Sequence, residues 1–112
     1  VPIGAHQGIS HPIADCHIQV ELARLATQRA AQIFDDGGNA AAAANIAKYA
    51  AAEASLKALD QAIQTHGGNG LSKEYGLAEL WFVARLMRTA PVSREMVLNF
   101  VAQTMLELPA SY

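Results

Sequence analysis

The sequence predicts an all-α protein, an antiparallel four-helix bundle, from three observations. Its hydrophobic content of 52% is weighted towards alanine, the best helix former, with few β-branched residues. Apolar residues recur at spacings of three and four along four segments, which is the pattern of one helical face. Short segments rich in glycine, proline, aspartate or asparagine separate these four, and short connections favour antiparallel neighbours.

The first helix is predicted over Ile13 to Phe34. Its inward face is expected to carry the apolar residues at helical spacing, which are Ile18, Leu22, Leu25, Ala26 and Ile33. Ser10 before Pro12 is typical of a helix start, because proline is tolerated in a first turn. The alternative is an earlier start with a kink at Pro12. The segment "DDGGN" should end this helix, and Asn39 can cap the next one.

Three further helices are expected along the rest of the chain. The second begins within the run Ala40 to Ala44, the third weakens before Pro91, and Ser93 caps the fourth. Their inward faces are, in order, Ile46, Tyr49, Leu56, Leu59 and Ile63; Leu77, Leu80, Trp81, Ala84 and Met87; and Val97, Phe100, Val101, Met105 and Leu108.

Length and charge narrow the class of protein. At 112 residues the chain fits one domain, and a start at Val1 rather than methionine indicates that residues 1–112 are one domain of a longer chain. A formal charge of −2, without a run of Lys or Arg, argues against nucleic acid and membrane partners. Without a bilayer-length apolar stretch or a signal peptide, the protein is expected to be soluble and cytoplasmic.

Neither a metal site nor a carboxylate pair is predicted. The single cysteine, Cys16, is expected to be a small core residue. The four histidines never lie three or four residues apart, the spacing that would place two imidazoles on one helix face. Glu53 and Asp60 lie seven residues apart on the second helix, where charges of a solvated face explain them better than acid–base chemistry does.

The connection "QTHGGNGLSKEYG", Gln64 to Gly76, contains four glycines between two helical segments. Capping of the helix end is one interpretation, since glycine adopts the left-handed cap readily. The other is a ligand surface, because the tandem glycines Gly67 and Gly68 leave bare backbone beside the amide of Gln64 and the ring of His66. These groups would suit a dinucleotide.

The order of three segments resembles the C-terminal helical domain of the acyl-CoA dehydrogenase family. They are "VPIGAHQGISHPIADC", "IQTHGGNGLSKEYGL" and "SREMVLNFVAQ", and the similarity covers essentially the whole chain. The resemblance implies FAD as cofactor, an acyl-CoA thioester as substrate and oxidation to the 2,3-enoyl-CoA. It also implies a homo-oligomer, dimer or tetramer, or a related partner subunit, with an electron-accepting flavoprotein as a further partner. In a eukaryote the location would be the mitochondrial matrix.

The resemblance also assigns cofactor-binding residues by position. Gln7 matches the family glutamine that reaches the FAD of the neighbouring subunit. Gln64, Gly67 and Gly68 match the segment along the adenosine and diphosphate part of that FAD. Ser93 and Glu95 occupy positions near the FAD of their own subunit, where serine keeps the hydroxyl of the family threonine.

Two departures from the family pattern leave the catalytic residue unknown. Pro91 occupies the position of the catalytic glutamate found in many members, and proline cannot accept a proton. Phe82 and Val83 replace an arginine–aspartate pair, so Arg85 and Arg88 cannot simply take over its role. Either the base lies on a helix preceding Val1, or the parent binds a different CoA ester or is a catalytically silent subunit. A purely structural oligomerisation module is the alternative outside enzymology.

Overall fold

The computed structural model describes residues 1–111, and the elements found there are helical. Helices α1 to α4 are Gln7–Asp35, Ala41–His66, Leu77–Met87 and Arg94–Phe100. Short 3₁₀ turns at Ile3–Ala5 and Gly67–Leu71 precede α1 and follow α2, and a π-helical turn, Val101–Met105, follows α4. The predicted all-α class with four helices is confirmed.

Helix α1 begins at Gln7, six residues before the predicted Ile13, and it runs through Pro12. The predicted start at Ser10–Pro12 is therefore wrong, and the alternative of an earlier start is confirmed. The first turn is already closed ahead of the proline, because the amides of Ile9 and Ser10 both donate to the His6 carbonyl at 2.9 Å. Because proline has no N–H, Pro12 removes only one hydrogen bond from those of the helix backbone.

Helices α1 and α2 form an antiparallel hairpin. Gly37 in the turn has a φ of +80°, which favours glycine, and the Asn39 Oδ1 accepts the Ala41 amide at 3.0 Å. The predicted cap by Asn39 is thus confirmed. Across the hairpin, Asp15 forms an ion pair with Lys57, and the hydrogen bond to Asp15 raises the pKa of Lys57 above its ordinary value.

Small side chains fill the interface between α1 and α2. The buried residues on these two helices are Cys16, Ala23, Ala47, Ala52, Ala54 and Leu56. Three members of the predicted inward face of α1 are instead exposed, with Ile18 at 54%, Leu22 at 53% and Leu25 at 60%. That prediction is wrong for them because alanines on α2 let the backbone of α1 approach along its Cys16–Ala23 side, and short side chains allow close helix contact.

The other predicted faces are buried only in part. Leu56 of α2, Ala84 of α3 and Val97 of α4 are buried, as expected. Exposed members of the predicted faces are Ile46, Leu80, Met87, Met105 and Leu108. These side chains point away from the shared core, so one of the five predicted residues on α2 and two of five in each of the other two sets are exposed.

The connection between α3 and α4 turns sharply and leads into a capped helix. The Ala90–Pro91 peptide is cis, and the Ser93 Oγ accepts the Met96 amide at 3.2 Å, which confirms Ser93 as the cap of α4. The α-helix ends at Phe100 rather than continuing to Leu108. The backbone continues as the π-helical turn instead. This end of the chain contacts α2 only slightly, and short helices depend on packing for their stability.

Helix α2 lies at the centre of an open arrangement. Among the described elements, α1 packs on α2 and on the first 3₁₀ turn. Helices α3 and α4 also pack on α2, so α2 is the helix that the other three share. The radius of gyration is 17.0 Å, against about 13 Å for a compact domain of this length. The accessible surface is 7790 Å², roughly a third more than expected for a protein of 11.9 kDa.

Candidate functional site

The end of α2 exposes backbone and an amide side chain together. The helix stops at His66, and Gly67 turns the chain with φ +62° and ψ −141° while its amide donates to the Gln64 carbonyl. The side chain of Gln64 is exposed beside this turn. The 3₁₀ turn that follows, Gly67–Leu71, keeps the tandem glycines at the surface.

The four glycines of this connection have different structural reasons. Gly67 and Gly76 adopt positive φ values of +62° and +70°. A Cβ on Gly70 would lie 2.5 Å from the Ile63 carbonyl oxygen, so close packing requires glycine there. Gly68 has neither constraint, because a Cβ added to it would meet nothing within 4 Å. Capping therefore explains Gly67 but leaves Gly68 without a structural reason.

His66 is fixed by the fold on one side of its ring. Its Nδ1 lies 2.7 Å from the Ala62 carbonyl oxygen, and the ring meets Tyr75 edge-on with centroids 5.3 Å apart. Donation from Nδ1 to the carbonyl leaves Nε2 as the ring atom that can face a ligand.

Gln7 lies at the same end of the hairpin as Gln64. The ion pair between Asp15 and Lys57 shows the antiparallel register of α1 and α2. Gln7 lies eight residues before Asp15 on α1, and the Gln64–His66 turn lies about as many residues after Lys57 on α2. Since the two helices are antiparallel, Gln7 and this turn are at the same level. The amide groups of Gln7 and Gln64 and the backbone of Gly68 therefore share one end of the molecule.

Ser93 and Glu95 lie towards the other end of α2. Arg94, between them, donates to the Tyr49 hydroxyl at 3.2 Å, and Lys48 donates to the Val92 carbonyl. Tyr49 precedes Gln64 by about four helical turns, or about 22 Å along the axis. The six predicted cofactor residues thus lie in two separate groups, one at the Gln64 end of α2 and one near Tyr49.

Glu53 is not the solvated carboxylate that the sequence predicts. Its two oxygens accept Nε and Nη2 of Arg88, each at 2.9 Å, and Arg94 Nε lies 3.2 Å from Oε1. Its side chain is 29% exposed, whereas Asp60 is exposed on the same helix. The arginines lie 35 or more positions along the chain, so no local spacing could have revealed this cluster.

Tyr49 completes the cluster around Arg94. The guanidinium carbon lies 5.5 Å from the centre of the Tyr49 ring, within cation–π range. The hydrogen bond to the Tyr49 hydroxyl, with help from the Glu53 charge, raises the pKa of Arg94. Tyr49, Glu53 and Arg88 of this cluster also line a cleft of about 750 Å³ between α1, α2 and α3. Other lining residues of the cleft include Leu22, Asp60 and Trp81.

The groove beside Pro91 has no carboxylate among its lining residues. Besides Ala52, Ser55 and Met87 it is lined by Lys48, whose ammonium group donates to the Val92 carbonyl. Glu53 has both oxygens occupied by arginines.

The described residues contain neither a cluster of metal-binding side chains nor a helix that could span a membrane. No group of three or more His, Cys, Asp or Glu side chains there could hold a metal ion. None of the helices in that part of the chain is both long and apolar enough to cross a membrane.

Comparisons with known proteins point to one family. The protein-family model for the acyl-CoA dehydrogenase C-terminal domain matches residues 1–106 of the sequence. Acyl-CoA dehydrogenase FadE12 of Mycobacterium tuberculosis H37Rv is 67% identical over 99% of this chain, which corresponds to 29% of that protein. Acyl-CoA dehydrogenase family member 11 of Homo sapiens is 40% identical over 88% of the chain and 13% of that protein.

A solved structure has the same fold. The FAD complex of PigA matches with a TM-score of 0.88 and 27% identity, over 92% of this chain and 27% of that one. The chain thus spans less than a third of each of these relatives. Because the family model covers residues 1–106 and the identity to FadE12 extends over nearly the whole chain, this chain belongs to the acyl-CoA dehydrogenase family and corresponds to its C-terminal domain.

Proposed function

We propose that the chain is the FAD-binding and oligomerising part of a dehydrogenase that oxidises an acyl-CoA thioester to the 2,3-enoyl-CoA. The observation that carries this is the 67% identity to an acyl-CoA dehydrogenase over nearly the whole chain. The FAD complex of PigA, which shares the fold, supports FAD as the cofactor. Bound FAD would supply the hydride acceptor for this oxidation.

The residues at the Gln64 end suit a dinucleotide. Gly68 presents backbone without a side chain, and nothing in the chain itself requires glycine there. Gln7 and Gln64 supply amides that can donate to phosphate or accept from a ribose hydroxyl. In this proposal Gly68 lets the diphosphate approach the main chain, while Gly67 serves the turn.

The separation of the two residue groups supports contact with two cofactor molecules. Ser93 and Glu95 lie about 22 Å from the Gln64 end, measured along α2. One group would contact the FAD of its own subunit and the other the FAD of a neighbour. The homo-oligomer is therefore part of the proposal, because each site would be incomplete without a second copy.

The test uses the full-length parent protein, purified as wild type and as Gly68→Val, Gln64→Ala and Ala44→Val variants. Wild type should contain FAD, and its flavin absorbance should bleach with an acyl-CoA under anaerobic conditions. Gly68→Val should lower flavin content most, because a branched side chain blocks backbone approach. Gln64→Ala should weaken the free energy of FAD binding by only about 0.5–1.5 kcal/mol, the contribution of one hydrogen bond. Ala44→Val adds similar bulk on exposed α2, far from Gly68, and should keep its flavin.

The outcomes separate this proposal from its alternatives. If Gly68→Val keeps both its flavin content and its wild-type helicity, the segment Gln64 to Gly76 only caps the end of α2. A wild type that holds FAD but bleaches with no acyl-CoA tried would favour a silent subunit. A wild type that takes up no FAD would favour the structural module. Gly67→Val is unsuitable here, since its positive φ makes any side chain strained.

A further inference from the structure

The loop between α3 and α4 is tied to α2 at both of its ends by one carboxylate. Before the loop, Arg88 binds Glu53 through two parallel hydrogen bonds of 2.9 Å. After the loop, Arg94 Nε lies 3.2 Å from the same carboxylate. Glu53 therefore bridges the first and last residues of the segment 88–94.

Further contacts close the loop against α2. The amide of Arg94 donates to the Arg88 carbonyl at 2.8 Å, which brings the two ends together. The Arg94 side chain also donates to the Tyr49 hydroxyl, and Lys48 donates to the Val92 carbonyl. The loop is thus held by backbone, by side chains and by charge.

The cluster differs from an ordinary surface ion pair. Its side chains are only 32%, 29% and 37% exposed for Arg88, Glu53 and Arg94. Exposed single pairs contribute little, but a bidentate fork shared within a network is stronger and geometrically specific. Both arginines bind the same carboxylate, so removing the Glu53 charge weakens the attachment of both loop ends to α2 at once.

What the loop presents is the second group of candidate cofactor residues. Ser93 is the last loop residue and Glu95 lies in the first turn of α4. We infer that Glu53 is a positioning residue, which holds the 88–94 loop so that Ser93 and Glu95 face the cofactor in the correct orientation. This inference rests on the proposed function, since it assumes that those two residues contact FAD.

The test compares Glu53→Gln with Asp60→Asn in the full-length parent. Both variants replace a carboxylate by an amide on the same helix, but Asp60 lies outside the cluster. Hydrogen–deuterium exchange of the FAD-free protein reports the loop, and titration with FAD reports the site. Glu53→Gln should exchange at least fivefold faster over residues 88–96, with the α1–α2 hairpin unchanged. It should also bind FAD at least fivefold more weakly, whereas Asp60→Asn should match wild type.

Arg88→Lys is a second variant that keeps the charge but loses the fork. It should fall between wild type and Glu53→Gln in both measurements, while a role in overall stability alone would shift the melting temperature and leave the exchange change unlocalised. Circular dichroism melting controls for unfolding. If Glu53→Gln behaves as Asp60→Asn does, the inference is wrong.

Two mixed outcomes also decide the question. Faster loop exchange with unchanged FAD affinity would overturn the positioning role, because the loop would then be mobile without consequence for the cofactor. A wild type that binds no FAD would defeat the proposed function before any variant is compared, and the positioning role would fall with it. The exchange data alone would then show whether Glu53 holds the loop.

Discussion

At the scale of single residues, the connection after α2 shows that glycines of one segment serve unlike purposes. Gly67 and Gly76 supply positive φ, Gly70 makes room for the backbone of Ile63, and Gly68 is left open. The sequence pattern treats all four alike. Only the surroundings of each Cβ position separate a packing requirement from a possible ligand contact.

Gly70→Ala should destabilise the protein, and Gly68→Ala should not. The new methyl group at position 70 would lie 2.5 Å from the Ile63 carbonyl oxygen and 2.9 Å from its Cα, both backbone atoms that cannot easily move. We expect a loss of about 1–3 kcal/mol in the free energy of unfolding, the usual cost of overpacking. Urea denaturation followed by circular dichroism measures this. Equal stability of the two variants would contradict the assigned contact.

At the scale of elements, helix boundaries follow hydrogen bonds more than proline position. α1 starts before Pro12 because His6 already accepts two amides, and α2 starts where Asn39 accepts the Ala41 amide. Ser93 caps α4 in the same way. A polar acceptor at the start of a helix satisfies amides that otherwise have no partner.

Asn39→Ala should weaken the start of α2, whereas Asn45→Ala should not. Asn39 accepts the Ala41 amide at 3.0 Å, and losing such a cap costs about 0.5–2 kcal/mol. Asn45 lies inside α2, where its side chain donates to the Ala41 carbonyl, and alanine is the better helix former there. Thermal melting of both variants compares the two. A lower melting temperature for Asn45→Ala than for Asn39→Ala would contradict the cap.

At the scale of the whole molecule, the open shape leaves apolar surface uncovered. α3 exposes Leu80, Phe82 and Val83, and α1 exposes Leu22 and Leu25, each by half or more. Apolar patches of this kind mark contact surfaces, because burying them releases free energy. The chain is therefore expected to associate with other surfaces of its parent or with copies of itself.

The isolated chain should self-associate as its concentration rises, and Leu22→Lys with Leu25→Lys should reduce this. The two lysines place charge on the exposed face of α1, where apolar contact would be lost. Gln28→Lys, at an exposed position of the same helix, is the control for added charge. Sedimentation velocity over a range of concentrations measures the association. A strictly monomeric wild type at high concentration would contradict the prediction.

The helices and their caps could be predicted from the sequence, while the burial of their faces could not. Periodicity located α2, α3 and the start of α4 within a few residues, because spacing and capping are local properties. It misplaced Ile18, Leu22 and Leu25, because a helix with apolar residues around much of its circumference does not specify which face its neighbour covers. For the candidate site, the six cofactor residues and their division into two groups came from resemblance, whereas the distance of about 22 Å between the groups along α2 came from the fold.

The sequence by itself determined the helical class and the family, since composition, periodicity and the glutamine–glycine pattern are written along the chain. Only the tertiary structure decided the role of Glu53, because its partners Arg88 and Arg94 reach it from other elements across 35 or more residues. The same holds for Gly70 and Gly68, which differ by one contact with Ile63. Local interactions set each helix, whereas ion pairs and steric limits depend on which helices meet.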